Sequence, residues 1–110
     1  MSEDAFEGLV AAALDSLPPE LGTMVDNLVV QVRDRHPAGL LGLYEGIPLT
    51  HREQYGGLAM PDRVTIFRLA LLDRCASSAE LEREVRITVV HEVAHHFGID
   101  DARLAELGWA

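Results

Sequence analysis

Cysteine is nearly absent from this sequence, basic residues are scarce, and no apolar run is long. Each shortage excludes something. A single cysteine, Cys75, leaves no internal disulfide to form, which suits a reducing compartment. No apolar stretch approaches the roughly 20 residues of a membrane-spanning helix, so no membrane partner is expected. Nine basic residues stand against eighteen acidic ones, a formal net charge of −9. That balance argues against nucleic acid or an anionic membrane surface as a partner. The opening MSEDAFEGLVAAALDSLPP lacks the positive flank of a signal peptide, and Glu7 and Asp15 break its apolar stripe. The expected location is cytoplasmic. What is present is ordinary for a globular chain: 48% hydrophobic and 25% charged residues in 110 positions. That suits one core and a single domain over residues 1–110.

Hydrophobic periodicity organises the chain. Phe6, Leu9, Val10, Ala13, Leu14 and Leu17 recur at helical spacing behind a capping Ser2, and Pro18-Pro19 stops the helix. LVVQVR (28–33), LLGLYEG (40–46) and VTIFR (64–68) read as strands. His36 to Gly39 is a turn between the first two, and 47–62, with two prolines and Gly56-Gly57, is a long loop. Ser77 and Glu80 have capping-box spacing, which starts a helix near residue 78. RITVV inside it has strand propensity, but length and the cap favour one helix through Phe97. From Val85 onward it is apolar almost all round, which predicts a buried central helix. Gly98 stops it, and 100–107 forms a short last helix.

The chemistry is concentrated in HEVAHHFGIDD, residues 91–101. On a helix His91 and His95 are about 40° apart around the axis and about 6 Å along it, so both imidazoles reach one ion from the same side. Glu92 lies about 100° round from His91, flanking that ion, where it can take a proton from a metal-activated water. Catalytic zinc takes three protein ligands. Asp101 follows His95 by six residues, and Gly98 between them lets the chain turn back toward the ion.

These eleven residues fit HExxHxxGxxD, and here the sequence resembles the aspartate-ligand zincins. LLGLYEGIPLT, YGG, PDRVTIF, VVHEVAHHFGIDD and RLAELGW are similar to stretches of the small zincin-like metallopeptidases, or mini-zincins. The resemblance spans roughly residues 40–109. It implies His91, His95 and Asp101 as ligands of one Zn2+ ion and Glu92 as catalytic base. It implies an α+β, zincin-like fold: a small three- to four-stranded mixed sheet packed against the N-terminal helix and a central active-site helix, with a short C-terminal helix. It also implies an edge strand on which a substrate peptide pairs, and VTIFR, just before the helix, is the expected one. Metzincins carry a methionine turn beneath the metal, but no methionine is among the nine residues after Asp101. Trp109 is therefore expected to floor the site.

Plainer roles compete. Asp100 or Asp101 can cap the last helix, Glu106 is an alternative third ligand, and His96 points about 100° away from His95, as a supporting residue would. Tyr44 and Tyr55 read as packing or loop residues, His51 and Arg52 as loop groups without a clear role, and Cys75 as a small buried side chain. The expected function is zinc-dependent hydrolysis of peptides or flexible protein segments. The alternative is a non-catalytic metal-binding or interaction module. A thin core and an exposed edge strand also suit a homodimer.

Overall fold

In a computed structural model of the chain, described over residues 1–17, 19, 28–46 and 62–107, seven elements follow one another. They are helix α1 (Glu3–Asp15), strands β1 (Leu28–Arg33), β2 (Gly42–Glu45) and β3 (Asp62–Phe67), and helices α2 (Arg68–Arg74), α3 (Ser78–His96) and α4 (Asp101–Leu107). This is the α+β architecture expected, with three strands in a mixed sheet.

The helix starts follow from their caps. Ser2 Oγ accepts from Ala5 N at 3.2 Å and Ser77 Oγ accepts from Glu80 N at 3.1 Å. Glu80 returns its carboxylate to Ala76 N at 3.2 Å, one residue before the cap. Both caps answer N–H groups that the first helical turn leaves unpaired.

The sheet order is β1-β3-β2, with β1 parallel and β2 antiparallel to β3. VTIFR is therefore the centre of the sheet, not its edge. The reason lies in its burial. Val64 and Ile66 face the helices fully buried, while Thr65 and Phe67 are buried on the opposite face. A strand inside a sheet loses exposure to the neighbours that flank it as well as to the layer packed on its face. Among the described residues the edges are β1 and β2, and β2 is the edge beside α3. Two further expectations change. Arg68, read as the end of the strand, begins α2, where it pairs with Asp34 at 2.9 Å. Asp62, read as the end of the long loop, is the buried first residue of β3. The rest of that loop, 47–61, lies outside the described residues.

One core joins the layers. Phe6, Val10 and Ala13 of α1 meet Val85, Val89 and Val93 of α3 over Val64 and Ile66 of the sheet. Burying a side chain such as Phe6 contributes about 2–3 kcal/mol. Helix α3 is not buried all round, as its composition suggested. Ile87 is 38% exposed, and with His91 and His95 it forms an i, i+4, i+8 stripe left open beside β2. Among the described residues no helix is long and apolar enough to cross a membrane.

Candidate metal centre

Helix α3 ends in a reversal that sets the site. Gly98 takes φ 75°, a left-handed conformation that costs glycine little. Gly98 N donates to His95 O and Ile99 N to Ala94 O, both at 3.0 Å, the paired bonds of a Schellman stop. Asp100 then caps α4: its Oδ1 accepts from Arg103 N at 2.9 Å. The two adjacent aspartates thereby separate. Asp100 is committed to the backbone, and Asp101, the first residue of α4, turns toward the histidines.

The result is a convergence of three side chains. Asp101 Oδ1 lies 2.9 Å from His91 Nε2 and 3.5 Å from His95 Nε2. The two imidazoles stand edge to face with centroids 4.9 Å apart. In a tetrahedral site with metal–ligand bonds of about 2.0–2.1 Å, neighbouring donor atoms are roughly 3.3 Å apart, and the two separations from Asp101 bracket that value. Two imidazole nitrogens and a carboxylate are a donor set that suits zinc.

Glu92 offers a second grouping, because donor atoms of His91, Glu92 and His95 all lie within 4.8 Å of one another. The ring nitrogens distinguish the two sets. Glu92 Oε1 meets His95 at Nδ1, 3.3 Å away, whereas Asp101 meets both histidines at Nε2. Asp101 thus approaches both histidines at Nε2, and Glu92 approaches His95 from its Nδ1 side. Glu106, the alternative ligand, pairs instead with Arg103 at 2.8 Å.

Strand β2 closes over Glu92. A Cβ built on Gly42 would stand 2.8 Å from Thr88 Cγ2 and 2.9 Å from Glu92 Cγ. Only the absence of a side chain at Gly42 lets the strand approach the helix there. This close approach holds the Glu92 side chain, 12% exposed, beside the half-exposed histidines. Gly42 had no distinguishing signal in the sequence, because its role is a contact with a residue fifty positions away.

Two hollows flank the centre. An open groove of about 630 Å³ is lined by Tyr44, His95, Gly98, Ile99, Asp101 and Ala102. A smaller one of about 250 Å³, toward the start of β2, includes Gly42, Arg74, Thr88, His91 and Glu92. His96 turns away from both, as its angular offset predicted, and is fully buried against Asp62. Trp109, expected beneath the ligands, lies outside the described residues, as do His51, Arg52 and Tyr55. Burial, with Glu80 and Glu84 nearby, pushes the Cys75 thiol above its ordinary range. That keeps it protonated and poorly nucleophilic near neutral pH.

A family model described as zincin-like metallopeptidase matches residues 24–109. The fold is similar to that of a conserved hypothetical protein from Thermo thermophilus, with a TM-score of 0.56 at 21% identity over 88% of this chain and 94% of that one. At that identity the likeness speaks for the fold alone. No curated protein matches the sequence.

Proposed function

Since the chain belongs to the zincin-like metallopeptidase family, we propose that it is a zinc-dependent peptidase acting on peptides or flexible protein segments. The observation that carries this reading is the meeting of His91 Nε2, His95 Nε2 and Asp101 Oδ1 within 2.9 and 3.5 Å, with Glu92 beside them. His91, His95 and Asp101 would hold one Zn2+ ion. A bound zinc ion supplies Lewis acidity toward a carbonyl and acidifies water.

Glu92 is the general base. It takes a proton from the attacking water and delivers it to the departing amine. Its carboxylate is kept in place by the close pass of β2 at Gly42. Strand β2, which lies at one edge of the sheet among the described residues, takes the peptide as an added antiparallel strand. This gives the substrate a direction. β2 runs from Gly42, over Thr88 and Glu92, to Tyr44 near His95. A peptide antiparallel to it therefore has its N-terminal part in the groove at Tyr44 and Ile99. Its C-terminal part lies in the hollow at Gly42 and Arg74. The outer edge of β1, with Val29 exposed, is where a homodimer would pair. A concentration-independent monomer mass in solution would remove that assembly.

A digest of an unbiased peptide library with wild type and Glu92→Gln tests the reading. The expected result is cleavage by the wild type and none by the variant, with equal zinc content. Cleavage by Glu92→Gln at the wild-type rate would show the base to be wrong. A protein that takes up no zinc when supplied favours the non-catalytic interaction module instead.

A further inference from the structure

Behind the open centre lies a second, closed cluster. Tyr44 stands with its ring edge-on to both His95 and His96, centroids 6.3 Å from each. Its hydroxyl donates to Asp62 Oδ2 at 2.7 Å. The same oxygen lies 2.6 Å from His96 Nδ1. Asp62 and His96 are 2% and 0% exposed. One carboxylate oxygen therefore joins the edge strand β2, the central strand β3 and the last turn of α3. Gly46, just past β2, leaves room for this carboxylate, since a Cβ there would run into it.

Packing alone does not explain a histidine at this place. His96 Nε2 is buried with no hydrogen-bond partner among the described residues, a cost that an apolar ring of similar size avoids. What His96 supplies is a polar Nδ1 within hydrogen-bond distance of Asp62 Oδ2, and Asp62 in turn holds the Tyr44 hydroxyl. The Tyr44 ring is the end of this chain that reaches the metal centre. His95 is half-exposed, and its ring is bounded by His91, by Glu92 at Nδ1 and by Tyr44 on the side of the sheet.

We propose that Tyr44 is a positioning residue for the metal ligand His95, and that the buried Asp62–His96 pair is the clamp that holds its ring. The inference rests on the reading of His91, His95 and Asp101 as a zinc site. Partners that orient metal ligands through hydrogen bonds are commonly worth about 10–100-fold in metal affinity; Tyr44 reaches His95 by an edge-on ring contact, and that range bounds its effect from above.

The test uses the full chain. Zn2+ affinity is measured by competition with a chromophoric chelator, and the ligand field is read from the visible spectrum after Co2+ substitution. Tyr44→Phe keeps the ring and releases it from the clamp; it is expected to weaken zinc binding by up to roughly 10-fold. Tyr44→Leu removes the ring, with a larger expected loss, up to about 100-fold. Asp62→Asn moves in the same direction as Tyr44→Phe, and the Co2+ spectrum changes in all three. Val10→Ala, in the core under α1, is the control: it lowers thermal stability and leaves affinity and spectrum as in the wild type. Wild-type affinity and spectrum in Tyr44→Leu overturn the proposal, as does an equal loss in Val10→Ala. Should Asp62→Asn or Tyr44→Leu not fold, Tyr44→Phe, which lacks one oxygen, decides: unchanged affinity there overturns it. A wild type that binds no zinc overturns the metal site itself, whereas zinc held equally by wild type and Tyr44 variants overturns only the positioning role.

Discussion

The last two turns of α3 carry two histidine–aspartate pairs that differ in almost everything but their chemistry. On the open side His91 meets Asp101 at 2.9 Å, and the Asp101 side chain is 73% exposed. On the buried side His96 meets Asp62 at 2.6 Å, and the Asp62 side chain is 3% exposed. The open pair has water and a groove around it, so an ion can enter and its donors can rearrange. The buried pair is sealed by strands and helix, and its oxygen already serves Tyr44. Adjacent residues of one helix, His95 and His96, thus fall to opposite uses because about 100° of rotation separates a groove from a core. The pair that is cheap to alter for the fold is the one expected to touch the metal, whereas the buried pair is costly to alter and acts on the metal only through Tyr44.

The sharpest way to break this contrast is to remove one open histidine. His91→Ala or His95→Ala is expected to weaken zinc binding by at least about 100-fold, more than the loss of an orienting neighbour. The metal-free fold should change by no more than about 0.5 kcal/mol, as for surface substitutions. Chelator competition and chemical denaturation read the two sides separately. A large loss of metal-free stability would mean that the open pair also holds the fold.

His96→Ala is the mirror experiment. It leaves a cavity and takes one donor from the buried Asp62, so it should cost about 2–4 kcal/mol in urea denaturation. A variant as stable as the wild type would remove the distinction between the two pairs.

Gly42→Ala probes the boundary between them. Its Cβ would press on Thr88 and Glu92, at an expected cost of about 1–3 kcal/mol, as for overpacking. Peptide cleavage should fall while zinc content stays near stoichiometric, since Gly42 approaches the base and no ligand. Full activity in Gly42→Ala would mean that Glu92 is not held by the strand.

The smallest effect separates neighbours in sequence. Asp100→Ala should cost about 1 kcal/mol of stability through the lost helix cap and keep zinc. Asp101→Ala should lose zinc and keep stability. If the two variants exchange phenotypes, the assignment of cap and ligand is reversed.

Much of the open side was legible beforehand. Its residues lie within eleven positions, and helix geometry with one glycine stop converts that spacing directly into spatial proximity. The helix start at Ser77 was readable for the same reason, since a cap acts over three residues. The buried side was not. Asp62 and His96 are 34 positions apart, and Asp62 sits behind a loop-like stretch whose composition hides a strand start. Tyr44 looked like a packing residue because its hydroxyl partner belongs to another strand. The edge of the sheet was misplaced because VTIFR sits next to the helix in sequence, whereas β2 sits next to it in space.

From local patterns alone the sequence determined the helices α1, α3 and α4, three strand segments, the HExxHxxGxxD spacing, and hence the candidate ligands and base, whereas α2 at Arg68–Arg74 carried no cap or periodic signal that marked it. These depend on contacts within a turn or two of chain, where backbone geometry leaves few choices. The tertiary structure decided which strand lies at the edge, which of two aspartates faces the histidines, how closely Gly42 covers Glu92, and that His96 is locked to Asp62 under Tyr44. Those outcomes depend on how segments distant in sequence pack around one small core, which spacing along the chain does not encode.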